Sequence, residues 1–434
     1  MKIDSPKLYL TIGNLKRIIN QSKKQLFALS AYLLASVVAS SISVLINPFL
    51  AINLSNADYA LLGYFTSFTS LVLPVVGFSF VTYYARNYFR FNEDKRSLMK
   101  DTILTTFIVI SPIIIILVLI IFYIYTIYAE VTFPFSPYAY LSFFPVLLGG
   151  SYSLYLTELR MSYNAKQFFY VSIFNSIIGA AFAITLVVVF HLGALGRLMA
   201  GLLASVLFCI YSYSRFAYKF RFDKTIFVDA IKFCWPLSLS AILYYFLSGI
   251  DRAMLEKLHD LHTFGLYNVA FQISAYLALF GTAVIQTFDP DIFKATAENN
   301  IPKLIKITTF IVIVSAIPTL LFALFAEPLI SLLTYGRYVE ATHLSRILAI
   351  RNITTPFAFV ISGIIIGYGY PRVEFINRAI GALLSFFMFK YLIINFGFYG
   401  AAWGQVFSML LMSIISLLFI FYKTRIQIFN KFIR

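Results

Sequence analysis

The sequence is short of charge, of cysteine and of long polar stretches. Asp, Glu, Lys and Arg together make up 12% of the 434 residues, about half the share of an ordinary soluble domain. Hydrophobic residues make up 60%, and the mean hydropathy is +0.85. A soluble globular chain, a disordered chain and a nucleic-acid-binding domain are thereby excluded. The two cysteines, Cys209 and Cys234, lie in or beside apolar blocks, so neither a disulfide framework nor a metal-ligand spacing follows. Also missing are Gly-x-x-x-x-Gly-Lys-Ser/Thr, His-Glu-x-x-His and Gly-x-Ser-x-Gly. No ATPase motor, zinc hydrolase or nucleophilic serine elbow is expected, and no cofactor or metal. The basic opening stretch has no short apolar core followed by a small-residue cleavage site, so no cleavable signal is expected.

What is there is a series of apolar blocks of about 20 residues, the length that crosses a bilayer. Twelve are expected, near 26–48, 59–84, 103–127, 137–157, 168–190, 194–213, 233–252, 264–287, 305–325, 345–367, 375–395 and 399–422. The fourth is the weakest, because Pro145, Gly149 and Gly150 interrupt it. The fold class implied is an all-α polytopic membrane protein with about twelve transmembrane helices.

The net charge is +16, and it is unevenly spread. Alternate loops, with the two terminal segments, carry 25 of the 34 Lys and Arg; the intervening loops carry only Arg252, Lys257 and Arg337. The positive-inside rule puts both termini and the basic loops in the cytoplasm. The most basic internal linker, 214–232, divides the chain evenly. The expected organisation is a basic arm over 1–25, a six-helix bundle over 26–213, the linker, a second six-helix bundle over 233–422 and a tail over 423–434. The stretches 57–63 and 262–267 open the second and eighth spans alike, with an aromatic, a small residue and then apolar ones. Such a likeness fits an internal repeat, but it also fits any two helix starts at a membrane interface.

Six positive charges fall inside the spans or at their rims: Arg197, Lys306, Arg346, Arg351, Arg378 and Lys390. Each costs roughly 2.5–3.5 kcal/mol at a helix centre, so a polar interior is the usual destination. Arg252 caps a small and polar face of span seven, made of Ser248, Tyr245, Ala241 and Ser238, with Asp251 next door. It faces a cavity or, alternatively, pairs with Asp251 at the rim. Arg351 shares a helical face with Thr354, Thr355, Ala358 and Ser362. Arg378 lies over Gly381, Ala382 and Ser385, a face that suits close packing as well as a cavity. Arg197 is followed by Ala200, Gly201 and Ala204 near the opposite rim, where a plain interfacial role serves equally. Lys390, Arg346 and Lys306 are placed to reach the interface. Acids in or beside the spans are fewer and lie mostly at the rims: Glu158, Asp251, Glu327 and Glu374. An exporter of cationic drugs needs buried carboxylates, whereas buried guanidinium suits an anion such as a diphosphate.

Several stretches resemble the polysaccharide transporter family of the multidrug/oligosaccharidyl-lipid/polysaccharide flippase superfamily. They are Gly249-Ile-Asp-Arg-Ala-Met-Leu255, Phe264-Gly-Leu-Tyr-Asn-Val-Ala270, Ala326-Glu-Pro-Leu-Ile330 with Tyr335-Gly-Arg-Tyr338, and Asn395-Phe-Gly-Phe-Tyr-Gly-Ala-Ala402. The resemblance implies two six-helix bundles around a central cavity that opens alternately to each face. It implies an O-antigen-type flippase, moving an undecaprenyl-diphosphate-linked oligosaccharide from the cytoplasmic to the periplasmic leaflet of a bacterial inner membrane. Related lipid II flippases carry an Asp-Arg pair at a similar place, which implies that Arg252 meets the diphosphate. Their arginine cluster in span one has no match here, since 26–50 is uncharged. That argues against lipid II itself.

The expected function is therefore a flippase, not an enzyme. Its expected substrate-binding residues are Arg252 and Arg351, with Arg378, Arg197 and Asp251 behind them. The expected partners are the lipid-linked oligosaccharide, the bilayer and the polymerase and chain-length proteins of the same pathway, with no nucleic acid. A multidrug exporter and a membrane polysaccharide polymerase are the alternatives; scarce buried acids weaken the first, and short loops without paired carboxylates weaken the second.

Overall fold

The structure, a computed structural model, describes residues 34, 38–39, 41–88, 90–368 and 370–433. Among these, all regular structure is helical. The elements are α1 (Ser41–Asn53), α2 (Asn56–Val76), α3 (Phe80–Asn87), α4 (Glu93–Tyr128), α5 (Tyr138–Met161), α6 (Ala165–Ile184) and α7 (Gly193–Phe216). They continue with α8 (Lys224–Ser248), α9 (Ile250–Leu255), α10 (Leu261–Ala297), α11 (Ile301–Leu324), α12 (Ala326–Thr334), α13 (Thr342–Gly367) and α14 (Pro371–Ile433). Nine stretches are long and apolar enough to cross a membrane among the described residues. The last of these breaks at Gly397 (φ 55°) into two. With α1 and α10 the twelve expected spans are accounted for, in two six-helix bundles around a central cavity. The first part of the first expected span lies outside the described residues, as do the arm and the last residue of the tail.

Polar residues at the ends fix where helices begin. The Ser55 hydroxyl accepts from the Asp58 amide at 3.1 Å, and the Asp58 carboxylate accepts from the Ser55 amide at 2.9 Å, a reciprocal cap. Asn92 caps α4, Asp223 caps α8 and Asp260 accepts from the Thr263 amide at the start of α10. The cap hydrogen bonds from Thr225 and Ile226 hold the Asp223 carboxyl below its usual range. Internal prolines recur in the apolar helices, among them Pro74, Pro112, Pro145, Pro236, Pro318 and Pro356. Helices buried among neighbours tolerate this because others satisfy the freed carbonyls.

Two spans expected to be continuous are broken. Span two stops at Val76, passes through Phe78 (φ 43°) and Ser79 (φ 55°), and resumes as α3. Pro74 lies just ahead of that break. Span seven breaks at Gly249 (φ −132°, ψ −23°), where an added Cβ would lie 2.6 Å from the Tyr245 ring. The interrupted span four, by contrast, remains one helix, α5.

The two ends of the molecule pack differently. The face that holds Arg96, Lys100, Arg215 and Arg221 is called here the basic face. At the opposite face one aromatic core joins the bundles: Phe133 packs on Tyr64 at 5.1 Å and on Phe264 at 6.2 Å, and Phe264 continues to Phe398 at 6.3 Å. Tyr59 meets Tyr338 edge-on at 5.2 Å. Close approach is possible because Gly63 and Gly265 lack side chains. A Cβ on Gly63 would lie 1.8 Å from the Asn268 amide, and one on Gly265 would lie 2.3 Å from the Asn56 carbonyl. The likeness of 57–63 and 262–267 noted in the sequence thus marks two helix starts that pack on one another. Toward the basic face the cores are separate: one around Phe80, Tyr84, Met99 and Phe208, and another around Ile292, Ile307 and Ile361. There the first turns of α8 lean on the first bundle, with Cys234 donating to the Ser79 carbonyl and Arg86 lying over Phe233.

Candidate functional site

Four connected cavities run between and within the bundles. A mouth of about 540 Å³ lies among α2, α5, α8 and α14 toward the basic face, with Arg378 in its wall. A central cavity of about 480 Å³ follows, walled by α2, α5, α7, α9 and α10, with Arg197 and Arg252. A side cavity of about 280 Å³ enters the last six spans, with Arg351. Another of about 320 Å³ enters the first six, sharing Arg197 and Gly201 with the central one. Pro145 joins the mouth to the central cavity, and Phe271 and Ala275 join the central cavity to the Arg351 side. Among the described residues, none of the four has an Asp or Glu in its wall.

The centre of the site is one ring and two cations. The Arg252 guanidinium carbon lies 3.8 Å from the centre of the Phe271 ring, and that of Arg351 lies 5.0 Å from the same point. Such contacts hold a guanidinium by its face and leave its N–H edge free for an anion. Arg252 is only 7% exposed, and its Nε is buried without a hydrogen-bond partner. Among the described residues no carboxylate lies within ion-pair distance of Arg197, Arg252 or Arg351. An unpaired guanidinium in a low-dielectric interior is costly. Three of them around connected cavities whose described walls hold no acid make a region of strongly positive potential.

The break at Gly249 decides where Arg252 points. It takes Arg252 off the α8 face that the sequence assigned to it. Of that face only Ala241 lines a cavity; Tyr245 packs against Phe68 at 5.8 Å, and Ser238 bonds Ser79 at 3.2 Å. Arg252 instead sits on α9 and reaches the ring of Phe271 on α10. Asp251 does not line a described cavity and does not pair with Arg252. It is 0% exposed and accepts from the Tyr267 hydroxyl at 2.5 Å, which ties α9 to α10 beside Arg252.

Arg351 lines its cavity with Asn352, Thr355 and Phe359, whereas Thr354, Ala358 and Ser362 of its expected face are buried in packing. Arg378 is compensated: it donates to Glu374 at 3.1 Å and to Ser240 at 3.0 Å, and Ser362 also donates to that Glu374 oxygen. Arg346 donates to the Ala323 carbonyl at 3.1 Å and takes no part in the cavities. Arg197, for which the sequence offered a plain rim role, lines two cavities. Sequence reasoning missed Phe271, Asn268, Gln272 and Asn352 in the walls. The signal available was a pair of uncharged amides one turn apart, Asn268 and Gln272, inside an apolar span.

The far end of the central cavity is closed by contacts between the bundles. Gln272 donates to Asn47 at 3.1 Å, and Asn47 donates to the Leu333 carbonyl at 2.9 Å. Arg337 donates to the Ala51 carbonyl at 3.1 Å and to that of Ile52, and Tyr338 donates to that of Leu54. The Thr132 amide donates to Glu256 at 2.5 Å. In this conformation the opposite face is shut and the mouth lies toward the basic face.

Comparison with known proteins matches residues 28–295 to a family described as "Polysaccharide biosynthesis protein". The fold is similar to that of a lipid II flippase, MurJ, in an inward closed conformation: 12% identity, TM-score 0.66, covering 91% of this chain and 87% of that one. It is also similar to a MOP superfamily transporter from Pyrococcus furiosus, at 15% identity, TM-score 0.63 and 92% and 95% coverage. An inward-facing MATE family multidrug resistance transporter gives 15% identity, TM-score 0.62 and 91% and 99% coverage. At these identities the likeness establishes the fold. No curated protein matches the sequence.

Proposed function

The chain belongs to the polysaccharide biosynthesis protein family, and from that premise we propose that it is a flippase for a polyprenyl-diphosphate-linked oligosaccharide. The substrate is an O-antigen or similar repeat unit on undecaprenyl diphosphate, carried from the cytoplasmic to the periplasmic leaflet of a bacterial inner membrane. The basic face is then cytoplasmic, with both termini, by the positive-inside rule. The observation that carries this is the set of guanidiniums of Arg252, Arg351 and Arg197, without a carboxylate partner among the described residues, around cavities whose described walls hold no carboxylate. A cationic drug would meet repulsion there; a diphosphate supplies the missing counter-charge, with two phosphates for bidentate N–H edges. The lipid tail stays in the bilayer while the head group passes between the bundles. Arg378, already paired with Glu374, serves the mouth rather than the seat of the diphosphate.

Transport follows from closing the mouth and parting the contacts at the opposite face, as one bundle rocks on the other. Polymerase and chain-length proteins act on the product in the same pathway. The MATE likeness gives a multidrug exporter as the competing function. The Pyrococcus furiosus transporter is itself described by a binding pocket of reversed polarity that suggests a different function, so this architecture accommodates more than one cargo.

The test is Arg252→Ala in cells that make lipid-linked repeat units. A charge-assisted hydrogen bond is worth about 1.5–3 kcal/mol, so transport is expected to fall roughly 10- to 100-fold with the protein still made and inserted. Single repeat units then accumulate on the cytoplasmic leaflet. Normal transport by this variant sinks the assignment, and loss of dye or drug efflux without lipid accumulation establishes the exporter.

A further inference from the structure

The side cavity among the first six spans differs in character from the other three. Glycines on three separate helices, Gly149 of α5, Gly179 of α6 and Gly201 of α7, line it. Glycine inside a helix is unfavourable relative to alanine. In membrane helices it is usually explained by close packing against a neighbouring backbone. Among the described residues that explanation fails at all three positions, since an added Cβ meets none of their atoms within 4 Å at Gly149, Gly179 or Gly201. Gly63, Gly265 and Gly400 show the opposite, with backbone or side-chain atoms at 2.3 Å or less. The three cavity glycines keep space open.

Uncharged hydrogen-bonding groups surround that space: Ser43, Asn175, Ser176 and Ser205, with the Tyr152 ring and the Arg197 guanidinium at the wall shared with the central cavity. Asn175 has no hydrogen-bond partner among the described residues. At about 320 Å³ the cavity is at the lower end of small-molecule sites, roughly 300–1,000 Å³. Amide and hydroxyl groups beside an aromatic ring match the hydroxyls and C–H face of a sugar. Ser176 and Ser205 already donate to the Ser172 and Gly201 carbonyls and offer lone pairs to a ligand; a lipid tail would leave the Asn175 amide unpaired, and a second diphosphate would find one cation only.

We propose that this cavity is a sugar subsite, taking the residue next to the diphosphate while Arg252 and Arg351 hold the phosphates. This rests on the diphosphate function proposed above. Arg197, at the shared wall, bridges the two parts of the head group. The subsite makes the protein selective for glycosylated over bare polyprenyl diphosphate.

The experiment uses the full-length protein in lipid nanodiscs and two probes, undecaprenyl diphosphate and the same lipid bearing one monosaccharide. Of the four cavities described, Gly179 lines this one alone, an added Cβ there meets no described atom within 4 Å, and leucine is a good helix former, so Gly179→Leu is chosen to fill it. Gly179→Ala, expected to melt no lower than the unaltered protein, controls for folding. The unaltered protein is expected to bind the glycosylated lipid more tightly. Gly179→Leu should lose that preference, with affinity for the glycosylated lipid down about tenfold and affinity for the bare lipid unchanged. Equal loss for both lipids, or no loss for either, overturns the sugar subsite. If the bare lipid binds and Arg252→Ala weakens it while Gly179→Leu spares both lipids, the diphosphate site stands and the subsite falls. No binding of either lipid by the unaltered protein overturns both.

Discussion

The two ends of this protein both pack aromatic rings between helices, yet they join the bundles differently. At the opposite face, rings from both bundles interleave around Phe133 and Phe264, and Gly63 and Gly265 let the backbones touch. Toward the basic face each bundle keeps its own core, and contact between them runs chiefly through the first turns of α8. In a membrane, lipid competes with helix packing for apolar surface, so what holds helices together is close fit and hydrogen bonds. The shut end has both; the mouth has room for a ligand. The closed contacts nevertheless use side chains on backbone carbonyls, such as Arg337 on Ala51 and Ile52. These part without unfolding a helix, which is what an exchange of open and shut ends requires.

The sharpest way to break that contrast is to make the shut end permanent. The Thr132 hydroxyl and His259 Nδ1 are 3.0 Å apart across the bundles, so Thr132→Cys with His259→Cys places two thiols within reach of a short, reducible bis-methanethiosulfonate bridge. Transport is expected to stop on cross-linking and return on reduction; a cross-linked protein that still transports shows that the ends do not exchange. A smaller effect comes from prising the shut end apart. Gly63→Val places atoms where the Asn268 side chain now lies, an overpacking that costs about 1–3 kcal/mol. Thermal unfolding should show the loss, and thiol labelling near Tyr59 from the opposite face should increase. Unchanged melting and labelling would mean that Gly63 is no pivot. The least is expected at the other end, where Lys303 meets Asp291 at 3.2 Å and both are substantially exposed. Lys303→Ala should change stability by no more than about 1 kcal/mol. A larger drop in melting temperature would show that the two ends are not the unequal partners described here.

The spans were legible because each needs a run of apolar residues, and a run is a local property. The two breaks were not. Pro74 and Gly249 each signal a possible kink, but proline also sits inside α4, α5, α8, α11 and α13 without ending them. Which proline coincides with a break depends on the neighbours that satisfy its freed carbonyls. Three of the four arginines singled out by their place in apolar spans line the cavities without a carboxylate partner among the described residues, and the fourth is held by Glu374. Their expected helical faces were less accurate. Of the face expected beside Arg351, Thr355 reaches the cavity wall, whereas Thr354, Ala358 and Ser362 pack inward and Asn352 and Phe359 take their place.

Sequence alone settles that this chain is helical and membrane-spanning, that it crosses about twelve times, and that its interior charge is positive. Each of these depends on composition within one segment or on the cost of placing a charge in lipid. Tertiary structure decides which cations meet. Arg252 and Arg351 are 99 residues apart, and what unites them is the ring of Phe271 on a third helix, brought there by the turn at Gly249 and the seat of Asp251 on Tyr267. A cavity wall is assembled from one or two residues of each helix. No single helix carries enough of it to be read, because hydropathy records how much of a segment is buried and not which neighbour it is buried against.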